Sequence, residues 1–318
     1  MNFTPEQIQI MKIFFPYAYG RQVEAMDQDI RFVHYTSAEA AVNMLRTEEV
    51  WMRKTSCMDD FREVEHGLDC LVAADESDAG QRLKDVLDDL FRGISGDIDK
   101  MFQGWVPHFR DDTYILCVSA HDPIEDIHGR LSMWRAYGQS TGVALVMNNK
   151  PFFSPSTALK AYTSPVAYMT SEELKEELVS IATNIENNSE FVQSIGRETV
   201  TGTVFSAFRF AALCMKHPGF LEEQEWRVVY CPKLEASDHL KMEVEVINGT
   251  PQPVYKIPLK NIPEEGHFGA AIPELLDRII IGPTQYPIAT YDAFHAMLSD
   301  AGVPNPDERI FLSEIPIR

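Results

Sequence analysis

Apolar residues at helical spacing open the chain. Ile8, Ile10, Met11, Phe14 and Phe15 follow Thr4-Pro5-Glu6-Gln7, in which Thr4 and Gln7 form a capping box and Pro5 suits the first helical position. Pro16 is the expected stop. Arg31-Phe32-Val33-His34-Tyr35 then reads as a short strand, Thr36 with Glu39 as a second capping box opening a helix through Leu45, and Val50-Trp51-Met52 as a second strand. Residues 61–110 read as helical with a soft break at 75–80, because Leu83, Val86, Leu87, Leu90 and Phe91 recur on one helix face. Thr113–Ser119 and Gly142–Met147 are continuous apolar runs of buried-strand type, with one helical turn at Ser132–Gly138 between them. A second helical block spans 171–215, with Ser171 as its expected cap. Lys241–Ile247 alternates as a half-buried strand with Met242, Val244 and Val246 inward. Short strands at 254–259, 278–281 and 309–312 and a helix over 289–301 complete the pattern.

One stretch organises these elements, Glu222-Glu223-Gln224-Glu225-Trp226-Arg227-Val228-Val229-Tyr230. As a strand it places Gln224, Trp226, Val228 and Tyr230 on one face and Glu223, Glu225 and Arg227 on the other, neighbouring charges being about 7 Å apart. Such a row is either a solvated salt-bridge face or the floor of a site that handles positive charge.

Composition narrows the class. The chain has 318 residues, 45% of them hydrophobic, enough for a sizeable core. No repeat or Pro/Ser-rich linker divides it, so the reading is a single domain over 1–318 of α/β (α+β) type. Its core strands lie within about 31–283, in a mixed, split sheet with helical insertions at 61–110 and 171–215. A formal net charge of −20 argues against a broad basic surface for nucleic acid. No run is long and apolar enough to span a bilayer, and the N-terminus lacks the pattern of a signal peptide. Cys57, Cys70, Cys117, Cys214 and Cys231 are odd in number with no CxxC pair, so neither a disulfide framework nor a zinc knuckle is expected. The expectation is a cytoplasmic protein without a membrane partner.

Four places carry candidate chemistry. His34-Tyr35-Thr36-Ser37 lies at a strand-to-helix turn, where anionic ligands bind, although a histidine there also serves as a buried partner of a backbone carbonyl. Trp134 and Tyr137 are three apart in the 132–138 turn and share a helix face, as an aromatic wall or as core. The Glu223/Glu225/Arg227 row is the third. The loop with His121, Asp122, Asp126 and His128 has metal-ligating residue types but no metal-motif spacing, so a solvated loop is expected and no metal.

These elements resemble a widespread bacterial family of unknown function over about residues 31–283. That family shows an HYT-S start, an Asn-Asp-Pro turn, a Ser-x-Trp-x-x-Tyr-Gly element, a Glu-x-Glu-x-Arg strand and a C-terminal strand. Here they are His34–Ser37, an altered turn at Met58-Asp59-Asp60-Phe61, Ser132–Gly138, Glu223–Arg227 and Ile279–Pro283. The family in turn is loosely similar to the ADP-ribosyltransferase superfamily. That resemblance implies NAD as substrate, with His34 on a ribose hydroxyl beside Tyr35 and Thr36, and with Trp134 or Tyr137 stacked on nicotinamide near Ser132. It implies Glu225 as the carboxylate that stabilises the oxocarbenium-like state, Glu223 as the group orienting an acceptor, and Arg227 as a partner of Glu225 or of pyrophosphate. The acceptor, whether protein or nucleic acid or a small molecule, is left open. Two alternatives use the same cleft: a non-catalytic nucleotide- or protein-binding module, and an NAD glycohydrolase. All of them expect His34, an aromatic and Glu225 to line one cleft that is less acidic than the surface, with Arg53, Arg135 and Arg227 as its cations.

Overall fold

The computed structural model describes residues 3–57, 61–138 and 141–316, and of 61–63 the backbone alone. The altered turn at Met58-Asp59-Asp60 lies outside the described residues. Helices α1 (Pro5–Phe14) and α2 (Pro16–Asp27) precede β1 (Arg31–Ser37), α3 (Ala38–Thr47) and β2 (Glu49–Lys54). Helices α4 (Phe61–Asp75), α5 (Asp78–Leu90) and α6 (Ile94–Asp111) lead to β3 (Tyr114–His121), the short α7 (Leu131–Tyr137) and β4 (Gly142–Met147). After β5 (Ala161–Pro165) and β6 (Ala167–Tyr168) come α8 (Ser171–Asn187), α9 (Ser189–Ile195) and α10 (Arg197–Leu213). The chain continues through β7 (Met215–Lys216), β8 (Glu225–Tyr230), β9 (Lys241–Ile247) and β10 (Thr250–Pro258). It ends on α11 (Ile272–Leu275), β11 (Leu276–Ile281), α12 (Pro287–Asp300) and β12 (Ile310–Leu312).

Local chemistry explains most boundaries. The Thr4/Gln7 capping box forms as the sequence implies. Pro16 ends α1 but also takes the first position of α2, where its missing N–H costs nothing, so a helix stands where a stop was expected. Ser37 rather than Thr36 caps α3, accepting from the Ala40 N–H. Likewise Thr170 rather than Ser171 caps α8, in a box with Glu173.

Ten of the described strands form one mixed α/β-type sheet, with β11–β12 parallel and its other pairs antiparallel. Its centre is β3. Along one edge β3 pairs with β8 from Tyr114 to Ser119, and β8 pairs onward with β5. The opposite edge is shared: β2 takes Tyr114 and Ile115, and β1 takes Ser119 to His121. Between these two ladders the strands diverge over Leu116–Val118, and the sheet is split there. From β1 it runs on through β4, β11 and β12, and from β2 through β10 to β9.

The pleat sorts side chains onto two faces. On one, Phe32, Leu116, Val118, Trp226 and Val228 join a core that includes Phe153 and Tyr230. Phe32 is wholly buried there, its ring centroid 4.7 Å from Phe152 and 5.2 Å from Trp226. On the other, Ile115 and Val229 meet the helical mass of α4, α6, α8 and α10, while Val33 and Tyr35 pack under α7. The hairpin β9–β10 departs from expectation. Met242, Val244 and Val246 are exposed, because β9 is the edge of the sheet and Lys256, in reach of Glu243 and Glu245, holds the other side.

Phe32→Ala should cost about 3–5 kcal/mol, the range for emptying a buried aromatic site. A shift of the denaturant midpoint with an unchanged slope would report it; a shift worth under about 1 kcal/mol would contradict the packing of Phe32 against Phe152 and Trp226.

Candidate functional site

The strand β8 starts at Glu225, three residues later than the alternation suggested. Residues Pro218–Glu223 form a 3₁₀ turn, and Gln224 sits in the left-handed region with φ 46°. Arg130 holds this turn in place. Its guanidinium pairs with Glu125 at 2.7 Å and donates to the carbonyls of Glu222 (2.7 Å), Glu223 (3.1 Å) and Ala120 (3.2 Å). Glu223 therefore leaves the strand, and the expected row of three charges on one strand face does not form. Every residue of β8 is buried, so the solvated-face reading is also overturned: β3 and β5 flank the strand and helices cover its charged side.

The charges meet by another route. Lys216 of β7, 1% exposed, places its Nζ 2.6 Å from both Glu223 Oε2 and Glu225 Oε2. The other oxygen of Glu225 accepts from Arg227 Nε at 2.7 Å, and Arg227 Nη1 donates to the Leu213 carbonyl at 2.6 Å. The Cys117 thiol hydrogen-bonds the same carboxylate, and the Glu225 N–H donates to the Tyr168 hydroxyl at 2.7 Å. Burial alone would raise the Glu225 pKa, but the charges of Arg227 and Lys216 outweigh it and hold the carboxyl down at about 2. Burial, with Glu225 beside it, pushes the Cys117 thiol well up. Tyr137 is 40% exposed, yet burial and the charge of Glu223 raise its hydroxyl pKa, so this side chain forms the open rim of the cluster. Sequence reasoning missed Lys216, Cys117, Tyr168 and Arg130. The one available signal was a lysine set directly after the apolar run Leu213-Cys214-Met215.

His34 is elsewhere. Pairing of β1 with β3 and of β3 with β8 puts Val33, Ser119 and Glu225 in line on one face, and His34 on the opposite one. The expected single cleft holding His34 and Glu225 is thus overturned, because the pleat directs the two side chains to opposite sides of the sheet. The imidazole fills the split instead. Its Nδ1 lies 3.0 Å from the Cys117 carbonyl, which faces the gap between β1 and β2. A carbonyl only accepts, so Nδ1 carries the proton. Burial lowers the His34 pKa, the hydrogen bond to Cys117 opposing it, so the ring is neutral near pH 7 with its Nε2 lone pair free to accept.

The His34 face carries a cavity of about 410 Å³. Leu116, Val118, Trp226 and Val228 form its floor, and Met11, Phe15 and Tyr19 of the N-terminal helices form part of its wall. Among the described residues that line it, none is Asp, Glu, Lys or Arg.

The remaining candidates fall in separate places. Tyr35 lies on the Glu225 face, where its hydroxyl accepts from the Arg130 N–H at 2.8 Å, and Thr36 pairs with Val143 of β4. Trp134 is buried, edge-on to Tyr35 at 4.9 Å, and its Nε1 donates to the His128 carbonyl. A Cβ on Gly129, Gly142 or Gly282 would come within 2.6, 3.0 or 2.9 Å of the indole, so glycines make its seat. Enclosed this way, Trp134 cannot stack on a ligand. Ser132 donates to Glu222 at 2.8 Å on the surface. Of the expected cleft cations, Arg227 is committed to the cluster, Arg53 donates to the Cys57 carbonyl and to Gln252, and Arg135 is exposed on α7. The 121–128 loop is not simply solvated. His121 is buried against Asp126 at 2.8 Å, and Asp126 also pairs with Arg31 at 2.6 Å. Asp122 caps a short turn, and His128 Nδ1 donates to the Ser313 carbonyl. Among the described residues, no group of three or more His, Cys, Asp or Glu is placed to hold a metal ion, and no helix is long and apolar enough to cross a membrane.

Residues 133–228 match the family described as "Protein of unknown function (DUF2971)". The match runs from α7 to β8, so it contains Trp134, Tyr137, Lys216 and the Glu223–Arg227 segment but not β1 with His34. It accords with the resemblance to a family of unknown function. No curated protein and no solved structure matches the chain.

Glu225→Gln removes the carboxylate that Lys216 and Arg227 share, and should cost about 3–5 kcal/mol in a denaturant titration, as for one partner of a buried ion pair. A loss within about 1 kcal/mol would mean that the pairing is of the exposed kind. The pH dependence has a fixed sign. With its folded pKa depressed, Glu225 stabilises the fold above about 4.5, and this contribution is lost as pH falls toward about 2. Comparing wild type and Glu225→Gln across that window should show the steeper acid loss in wild type.

Proposed function

We propose that the chain is a small-molecule-binding module of sensor or effector type, and that its ligand is an uncharged, largely apolar molecule held on the His34 face of the sheet. The observation that carries this reading is the cavity itself. In a chain with 24% charged residues and a net charge of −20, a half-open space of about 410 Å³ has no charged residue among its described lining. Its size falls in the range of small-molecule sites, which are mainly apolar with a few placed polar groups. A pyrophosphate would find no Arg or Lys there, which argues against a dinucleotide in this space.

The ADP-ribosyltransferase and NAD glycohydrolase readings draw support from one feature, the convergence of Glu223, Glu225 and Tyr137 around Lys216. Two features count against them. His34 is across the sheet, and both oxygens of Glu225 are already held by cations, so the carboxylate has little left to offer a developing oxocarbenium charge.

Two measurements separate these readings. N-phenylnaphthylamine, an uncharged dye that brightens in apolar surroundings, should be taken up saturably by wild type. Ala161→Trp, which fills the cavity from β5, should abolish that uptake. Incubated with NAD, neither wild type nor Glu225→Gln should release nicotinamide. Release by wild type that falls roughly 10²- to 10³-fold in Glu225→Gln would instead establish a glycosyl-transfer site.

A further inference from the structure

The lining of the cavity is uneven in its hydrogen-bonding capacity. Several of its polar groups are already engaged within the protein. Ser154 accepts from the Ser156 N–H, Ser156 donates to the Glu265 carbonyl, Ser164 to the Pro165 carbonyl, and the Tyr162 hydroxyl to Glu235. Among the described residues two histidines line the cavity, His34 and His267, and His34 is the one whose ring a hydrogen bond to the central strand fixes. It stands in the split between β1 and β2, beside the floor residues Leu116 and Val118, with the orientation of its ring set by Cys117. Among the described side chains, the buried nitrogens without a partner are Arg53 Nε, His121 Nδ1 and Arg209 Nε. Nε2 of His34 is not one of them, and no group among the described residues hydrogen-bonds it, so it opens on the cavity that the ring lines.

We infer that the ligand carries a hydroxyl or N–H group on its apolar body and donates it to Nε2 of His34, an inference that rests on the cavity being the binding site. The chemistry follows from the tautomer: Nδ1–H is spent on the Cys117 carbonyl, so the face turned to the ligand is an acceptor and selects donors. A ligand whose only polar group is an ether, ester or ketone oxygen would put two acceptors against each other. Volume sets the size. A cavity of roughly 150 Å³ takes benzene, so by proportion about 410 Å³ takes roughly 16 non-hydrogen atoms, the bulk of two to three rings. The aromatic rings of Phe15, Phe152, Phe153 and Trp226 in the lining suit a flat body of that kind.

The test uses two probes of nearly equal shape on the full chain, N-phenylnaphthylamine, which has one N–H donor, and phenylnaphthalene, which has none and is read by displacement of the first. Wild type should prefer the donor about fivefold to tenfold, the discrimination expected of one net hydrogen bond. His34→Asn keeps an amide N–H for the Cys117 carbonyl but has no acceptor at the position of Nε2, and should bring the ratio to within about twofold. Equal binding of the two probes by wild type overturns the donor inference while leaving the cavity reading in place, provided Ala161→Trp still excludes both. Binding that Ala161→Trp leaves untouched, or no binding by wild type at all, overturns the cavity reading itself. Should His34→Asn fail to fold, the wild-type ratio decides alone.

Discussion

The backbone carbonyl of Cys117 sets the terms for the rest of the molecule. It belongs to a central strand whose free edge must serve two strands that diverge, so it faces a gap where no ladder partner exists. Leaving a buried carbonyl unpaired costs a desolvation penalty on the order of 1–3 kcal/mol, and His34 removes it by placing an imidazole N–H in the gap. Cys117 is at the same time the point where the two faces of the sheet meet. Its carbonyl is held by a side chain from the cavity face, and its thiol bonds Glu225 on the ionic face. One residue in the middle of β3 thus touches both candidate sites without joining them.

This explains why part of the site was readable and part was not. Helix starts with a local signature, such as Thr4 and Gln7, follow from spacing along the chain, and so do the buried strands around Leu116 and Val143. The histidine's role as partner of a carbonyl was one of two readings open at that turn. Side of the sheet is a different kind of information. It depends on register between β1, β3 and β8, which lie far apart in sequence, and a single step of register exchanges every side chain between faces. The order of motifs along the chain matched the resemblance while the pleat set His34 and Glu225 back to back. Lys216 was hidden for a related reason. Its pairing with Glu223 and Glu225 exists only once the 3₁₀ turn and β7 bring three short segments together.

The two faces therefore divide the chemistry. On one, charge is concentrated and mutually neutralised; on the other, charge is excluded from a space large enough for a ligand. Arg130 and Trp134 stand near the first and act on position rather than on chemistry, the arginine by gripping the carbonyls of Glu222 and Glu223, the indole by filling a seat that three glycines leave open. Buried ion pairs are weak evidence for stability, since an apolar replacement of equal volume often does as well or better. What this cluster does is fix the start of β8 and the exit of the 3₁₀ turn in one arrangement.

The burial of Lys216 also bears on how this part of the chain can change through descent. Removing the lysine alone takes one counter-charge from two carboxylates at once, and removing Glu225 alone takes one from two cations. Each single step loses stability, whereas a joint replacement by apolar side chains need not. The positions are consequently coupled: the path from the ionic form to an apolar one of equal stability runs through several residues changed together, and the cluster acts as a ratchet against single substitutions.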